Sequence, residues 1–198
     1  MKILILQNRM GIGDMIMFLP FIEAISKRYK IPVTILAKRN TKVEMYFNNK
    51  KIVEEIMYLE REDNKKHSGV KGFFKLVNEL KLKKFDKVFI FNSSLRYFLI
   101  SKFSGIKEIF HYPLFKKKNQ QIIEAAKEFT LKSIGEDIES TPRLFLKEQD
   151  ILKAKKDHSI DQSITNVILG IGGSGKTKRV PASIFKLSLI HISEPTRR

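Results

Sequence analysis

Residues 10–20 read MGIGDMIMFLP and follow a short apolar run, ILIL, at residues 3–6. A buried strand that leads through a glycine loop into a helix presents backbone N–H groups and an acidic side chain at the carboxyl edge of an α/β sheet. Gly11 and Gly13 allow the backbone to turn tightly and to approach a ligand. Asp14 is therefore the first candidate site residue. The alternative is a plain tight turn in which Asp14 only caps a helix.

Strand and helix patterns alternate through the next part of the chain. Strand patterns lie at residues 32–36, 52–59, 86–91 and 108–111. Helical patterns lie at residues 15–25, 41–48, 73–80, 95–103, 119–134 and 148–156. This alternation predicts an α/β fold in which a Rossmann-like, doubly wound parallel sheet is built with right-handed crossovers. The segment 142–146, PRLFL, is predicted to be a strand or an extended arm.

The composition supports a folded core and argues against several kinds of site. Of the 198 residues, 42% are hydrophobic and 15 are Phe, enough to bury a core. There is no Cys, and the four His are scattered, so we expect neither a disulfide framework nor a metal site, and no cofactor. The start of the chain lacks a signal-peptide pattern, and no apolar run is long enough to span a membrane. These features predict a cytoplasmic protein.

The net charge of +17 points to an anionic partner or to a solvated lysine-rich surface. Nucleic acid, an anionic membrane surface and a phosphate-bearing substrate are all compatible with such a field. No RNA-binding or helix-turn-helix signature accompanies the charge, which argues against nucleic acid. A non-catalytic basic module that binds RNA or a membrane remains an alternative.

Residues 167–175, VILGIGGSG, are a second apolar run followed by a glycine-rich loop, as at the start of the chain. We therefore expect a first domain at 1–156, a linker at 157–165 and the start of a second α/β domain at 166–186. Residues 187–198, LSLIHISEPTRR, resemble a translated sequencing adapter and are expected to be a non-native tail. The native protein is then expected to continue past residue 186.

Residues 170–177 also satisfy the phosphate-cradling pattern GxxxxGK[ST], with Lys176 and Thr177 at its end. Pro181 follows four residues later, so a helix is predicted to begin near Pro181 rather than at Lys176. A P-loop nucleotide-binding protein remains an alternative.

Four segments, in this order, together resemble glycosyltransferase family 9, the heptosyltransferases of lipopolysaccharide core assembly. They are MGIGDMIMFLPFIEAI, FDKVFIFNSSLRYFLISKFSGIKEIFHY, PRLFL and GIGGSGKTKRVP. The resemblance implies a GT-B architecture, in which a first Rossmann-like domain binds the acceptor and a second binds the nucleotide sugar. It also implies inverting transfer of a heptose or related sugar from an ADP-heptose type donor to a lipid-linked saccharide acceptor. The chain would be an inactive fragment of such an enzyme, with peripheral contact at the inner face of the bacterial inner membrane.

The resemblance also assigns roles to individual residues. Asp14 matches the proposed general base, and a carboxylate there could take the proton of an attacking hydroxyl. The acceptor side is expected to include Gly11, Gly13, Asn92, Ser93 and Arg96. The donor phosphates are expected to bind Gly172, Gly173, Ser174 and Lys178, because backbone N–H groups and a lysine suit diphosphate oxygens.

Overall fold

The computed structural model describes residues 1–9, 11–47, 51–62, 64–113, 121–144, 146–170 and 179–193. The chain divides into two compact units, Met1–Phe145 and Leu146–Arg198. The domain boundaries at 156, 165 and 186 stay predictions.

A parallel sheet forms the centre of the first unit. Its strands are β1 (Ile3–Gln7), β2 (Val33–Ala37), β3 (Val53–Tyr58), β4 (Lys87–Ile90) and β5 (Glu108–His111). They lie in the order β3-β2-β1-β4-β5, and every pair is parallel. Every residue of β1 and β2 is buried, as expected for strands that helices cover on both faces. The predicted doubly wound α/β fold is confirmed.

Helices cover both faces of this sheet. They are α1 (Ile12–Ile16), α2 (Leu19–Tyr29), α3 (Gly69–Lys83), α4 (Leu95–Phe103) and α5 (Ile122–Ile134). Successive side chains of a strand point to opposite faces. Ile3 and Ile5 accordingly belong to the core shared with α2 and α5, whereas Leu4 and Leu6 belong to the core shared with α3 and α4.

The two cores differ in composition. On the α2/α5 face the Phe91 ring lies 5.3 Å from the Phe18 ring, 5.0 Å from Phe129 and 6.1 Å from Tyr112, between ring centroids. The α3/α4 face is mostly aliphatic. Its buried members are Leu4, Leu6, Leu36, Leu59, Leu76, Val77, Leu80, Phe85, Val88, Tyr97, Ile90, Ile100 and Ile106.

Two predicted helices are wrong in detail. The pattern at 15–25 forms two helices, because α1 ends at Ile16 and α2 begins at Leu19 with Pro20 in its first turn. Proline has no N–H to donate within a continuous helix, but none is needed in a first turn. The pattern at 41–48 forms two 3₁₀ turns, Arg39–Thr41 and Val43–Met45, separated by Lys42 in the left-handed conformation.

The second unit contains α6 (Glu148–Asp157) and α7 (Ala182–Ser193), which confirms the helices predicted over 148–156 and near Pro181. The strand predicted at 167–169 does not form, and Ile168 is 92% exposed. A strand needs a neighbour to pair with its backbone groups, and the described part of this unit contains no other strand. Residues 142–144 of the PRLFL segment form no strand either.

Candidate active site at the carboxyl edge of the sheet

The order of the strands defines one crevice at the carboxyl edge of the sheet. From β1 the chain moves to β2 and β3 on one side, and then returns to β4 and β5 on the other. The neighbours β1 and β4 pair with Leu6 opposite Ile90. Ligands of open α/β sheets bind outside the carboxyl ends of the strands at such a switch point. The loops that carry Asp14 and Asn92 both follow strands at this point.

The loop from β1 to α1 places Asp14 at the crevice. Gly11 has a φ of 107°, a conformation that side chains other than glycine rarely adopt, and a Cβ built on it would lie 3.8 Å from Asp14 Oδ2. Asp14 is half-buried in the first turn of α1, and the described residues offer it no hydrogen bond or ion pair. No atom lies within 4 Å of a Cβ built on Gly13, so there is open space beside it. The Asp14 carboxylate thus lies at the crevice without a partner among the described residues.

The loop after β4 contributes an amide donor. Asn92 Oδ1 accepts a hydrogen bond from the Ser94 N–H at 2.9 Å, which turns the chain into α4. Asn92 Nδ2 is buried and has no partner among the described residues. Ser93, next along the loop, is exposed. Buried donors are nearly always hydrogen-bonded, so Asn92 Nδ2 is unusual among the described residues.

Gln7 and Tyr112 have similar unpartnered groups that sequence reasoning missed. Gln7 ends β1 and is only 1% exposed; its Oε1 accepts from the Arg9 N–H at 2.6 Å, while its Nε2 has no partner among the described residues. The buried Tyr112 hydroxyl, just after β5, also has none. Burial raises the pKa of Tyr112, and nearby Arg9 opposes this shift. The signal in the sequence was Gln7, the polar residue that ends an apolar strand.

Arg96 is placed differently from the other predicted site residues, because its guanidinium holds a neighbouring loop. One terminal nitrogen donates to the carbonyl oxygens of His67 at 3.1 Å and Gly69 at 2.8 Å. The guanidinium also lies 5.4 Å from the centre of the Phe73 ring. Burial, and then the charge of Arg61, lower the pKa of Arg96. A direct contact of Arg96 with the acceptor stays a prediction.

His67 fastens the same loop, which follows β3, to α3. Its Nδ1 accepts from the Glu60 N–H at 3.0 Å, so in the neutral ring Nε2 carries the hydrogen and donates to Glu79 Oε2 at 3.2 Å. Burial lowers the pKa of His67, and the opposing effect of Glu79 does not offset it. A Cβ on Gly72 would lie 2.2 Å from the His67 carbonyl carbon. Only glycine allows this close approach.

Arginines follow four of the strands at this edge. Arg9 follows β1, Arg39 follows β2, Arg61 follows β3 and Arg96 follows β4. Arg39 Nε lies 3.3 Å from Glu60 Oε1, and its guanidinium covers the Tyr58 ring at 4.4 Å. The edge is therefore cationic and suits an anionic group such as a phosphate.

Three solved structures show which proteins share this architecture. A glycosyl transferase of family 9 from Veillonella parvula matches with a TM-score of 0.69 and 16% identity, over 96% of this chain and 59% of that chain. The fold is that of family 9 glycosyltransferases. ADP-heptose lipopolysaccharide heptosyltransferase II of E. coli matches with a TM-score of 0.61 and 18% identity, over 97% and 62%. An E. coli heptosyltransferase with ADP matches with a TM-score of 0.53 and 16% identity, over 98% and 65%.

The chain spans about three fifths of the length of the first two glycosyltransferases. The sequence matches no protein-family model and no curated protein. The resemblance to family 9 glycosyltransferases is thus confirmed at the level of the fold.

Some predicted site residues lie outside the described residues. They are Gly172, Gly173, Ser174 and Lys178 of the donor-phosphate site, and Lys176 and Thr177 of the P-loop alternative. Within the described residues, no group of His, Asp and Glu could hold a metal ion. Likewise, no helix in the described ranges is both long and apolar enough to cross a membrane.

Proposed function

We propose that this chain is the acceptor-side part of a glycosyltransferase. The reaction would move a heptose or related sugar from an ADP-heptose type donor to a phosphorylated, lipid-linked saccharide of the lipopolysaccharide core. The observation that carries the proposal is the Asp14 carboxylate, which has no partner among the described residues and lies at the switch point of a sheet whose fold is shared with family 9 glycosyltransferases. The enzyme would work in the cytoplasm, at the inner face of the bacterial inner membrane.

In the proposed reaction, Asp14 takes the proton of the attacking acceptor hydroxyl. The hydroxyl oxygen bonds to the anomeric carbon as the nucleoside diphosphate leaves from the opposite face, so the configuration inverts. Asn92 Nδ2, which has no partner among the described residues, would donate a hydrogen bond to an acceptor oxygen. Fixing the acceptor in this way accounts for much of the rate advantage of such a site.

The charges of the edge support a phosphorylated acceptor. Arg9 and Arg61 are exposed next to the crevice, and their guanidinium groups can each bind a phosphate through two nitrogens. The donor diphosphate would bind Ser174, Lys178 and the N–H groups of the second glycine loop. We expect the 198-residue chain alone not to transfer sugar, because the resemblance assigns donor binding to the second domain.

Asp14→Asn in the complete coding sequence that contains this chain tests the proposal. Loss of the general base should lower kcat by about 10²- to 10⁴-fold in a sugar-transfer assay and leave the KM for the donor unchanged. Glu124→Gln is the matched control, because Glu124 is also an acidic residue in a first helical turn but lies on α5. Unchanged transfer by Asp14→Asn would remove Asp14 from this role.

A further inference from the structure

A patch of exposed apolar side chains lies across α3 and α4. Val70, Phe74 and Phe103 are 73%, 58% and 62% exposed. Phe73 joins them, because its ring centre lies 5.2 Å from that of Phe74 and 6.1 Å from that of Phe103. Val70 and Phe74 are four residues apart and share one face of α3. These four residues are called the phenylalanine patch below.

The helices beneath the phenylalanine patch are strongly cationic. They carry six basic side chains and one carboxylate, which are Lys71, Lys75, Lys81, Lys83, Arg96, Lys102 and Glu79. The carboxylate is already engaged, because Glu79 pairs with Lys66 at 2.7 Å and with His67. Lys71, Lys75 and Lys102 are exposed beside the phenylalanines in the sequence. Of the six basic side chains, Lys83 pairs with Glu55 of β3. The surface still combines aromatic rings with a net positive charge.

We propose that the phenylalanine patch docks on the surface of an anionic lipid bilayer. Exposed apolar clusters of this kind mark interaction surfaces, and aromatic side chains ringed by lysine suit the boundary between headgroups and acyl chains. Phe74 and Phe103 enter this boundary, while the lysines contact lipid phosphates. Phe74 shares its face of α3 with Val70, and this apolar composition favours a lipid boundary over stacked bases.

The position of the patch connects it to the candidate site. Phe73 contacts the Arg96 guanidinium, which in turn holds the loop after β3 at the carboxyl edge of the sheet. A bilayer bound here lies one side chain from that edge. This inference extends the proposed function by naming the membrane-facing surface, but binding to lipid needs neither a sugar donor nor an acceptor.

Vesicle binding by the full 198-residue chain tests the docking surface. The chain should bind vesicles of phosphatidylcholine that contain about one-quarter phosphatidylglycerol. It should bind vesicles of phosphatidylcholine alone much more weakly. The double substitution Phe74→Ser/Phe103→Ser should weaken binding to the anionic vesicles by about tenfold or more, because it removes the two rings that enter the bilayer. Lys71→Gln with Lys75→Gln should weaken it by about tenfold as well. The matched control, Leu131→Ser, removes an exposed apolar residue of α5 and should bind as the parent chain does.

A tryptophan probe locates the contact. The sequence contains no Trp, so Phe74→Trp introduces a single indole. Its emission should shift to the blue on anionic vesicles and be quenched by brominated lipid, whereas Leu131→Trp should show neither change.

The proposal is overturned by equal binding to neutral vesicles, by full binding of the Phe74→Ser/Phe103→Ser variant, or by unshifted Phe74→Trp emission. Saturable RNA binding that this double variant loses, without vesicle binding, would instead assign the surface to nucleic acid.

These outcomes are separate from those of the transfer assay. Vesicle binding with failed Asp14 tests would keep the docking surface and discard the glycosyltransferase proposal. Asp14-dependent transfer without vesicle binding would keep the glycosyltransferase proposal and discard the docking surface.

Discussion

The two faces of the sheet carry their charges in different ways. On α2 and α5 the basic side chains have acidic partners within 4 Å; the pairs are Lys27–Glu23, Arg28–Glu136, Lys127–Asp137 and Lys132–Glu128. On α3 and α4 six basic residues accompany one carboxylate. Lys83 pairs with Glu55 of β3, whereas Lys71, Lys75 and Lys102 are exposed and adjoin the phenylalanines in the sequence. Both faces bury an apolar core. The two faces therefore differ in how far carboxylates balance their basic side chains, and the proposed membrane surface lies on the less balanced face.

The largest expected effect contrasts a buried ring of one face with an exposed ring of the other. Phe91→Ala should lower the free energy of unfolding by about 3–5 kcal/mol, because Phe91 is 1% exposed and packs against rings of α2 and α5. Phe74→Ala, the same change in the phenylalanine patch, should cost less than about 0.5 kcal/mol. Urea unfolding of both variants measures the two losses in the free energy of unfolding. Similar losses in the two would mean that Phe74 belongs to the core.

The second prediction concerns the close approach of α3 to the loop after β3. Gly72→Ala should destabilise the chain by about 3 kcal/mol, because the added Cβ meets the His67 backbone and the loop must move. Gly13→Ala has open space and should be neutral or stabilising by up to about 1 kcal/mol. Urea midpoints compare the two, and a neutral Gly72→Ala would contradict the contact.

The third prediction follows from the neutral, buried His67. Its pKa is lowered by burial below the ordinary value of 6.5, so below that pH the unfolded chain takes up the proton more readily than the folded chain. The stabilisation is complete above pH 6.5 and is lost as the pH falls through the lower folded pKa. Stability should thus increase from about pH 5 to pH 7, and His67→Gln should reduce that slope.

The slope should not vanish in this variant, because burial also lowers the pKa of His111. His158→Gln, which removes an exposed imidazole after α6, serves as the matched control. An unchanged slope in His67→Gln would contradict the buried neutral ring.

The smallest expected effect separates the paired from the unpaired charges. Lys132→Gln breaks the pair with Glu128 on α5 and should cost about 0.3–0.5 kcal/mol in low salt. Lys71→Gln on α3 should cost nothing or slightly stabilise, because it relieves the positive field. Thermal unfolding at low and at high salt compares the stabilities of the two variants. A larger loss for Lys71→Gln would show that α3 has its own balancing charges.

Much of the fold could be predicted because its signals are local. The helix at 95–103 and the strand at 108–111 were predicted with the bounds that the structure has, since apolar runs there end at polar residues. The loop of Asp14 was also found from local signals, a strand, two glycines and a carboxylate. By contrast, Pro20 divides the helix predicted at 15–25, although the apolar pattern runs through it.

The contacts at the site that escaped prediction depend on distant residues. Arg96 holds carbonyls that lie 29 and 27 residues away in the chain. Gln7, His67 and Gly72 carry no motif, and their roles arise only where the loop after β3 meets α3 or where β1 ends beside β4.

The sequence by itself determined the strands of the sheet, most of the helices and the position of Asp14, because hydrophobic periodicity and glycine turns act between near neighbours in the chain. Only the tertiary structure decided that Gln7 and Asn92 have donors without partners among the described residues, and that Phe73 joins Phe74 and Phe103 into one surface. Burial, partnership and exposure are properties of elements packed together, and no single segment carries them.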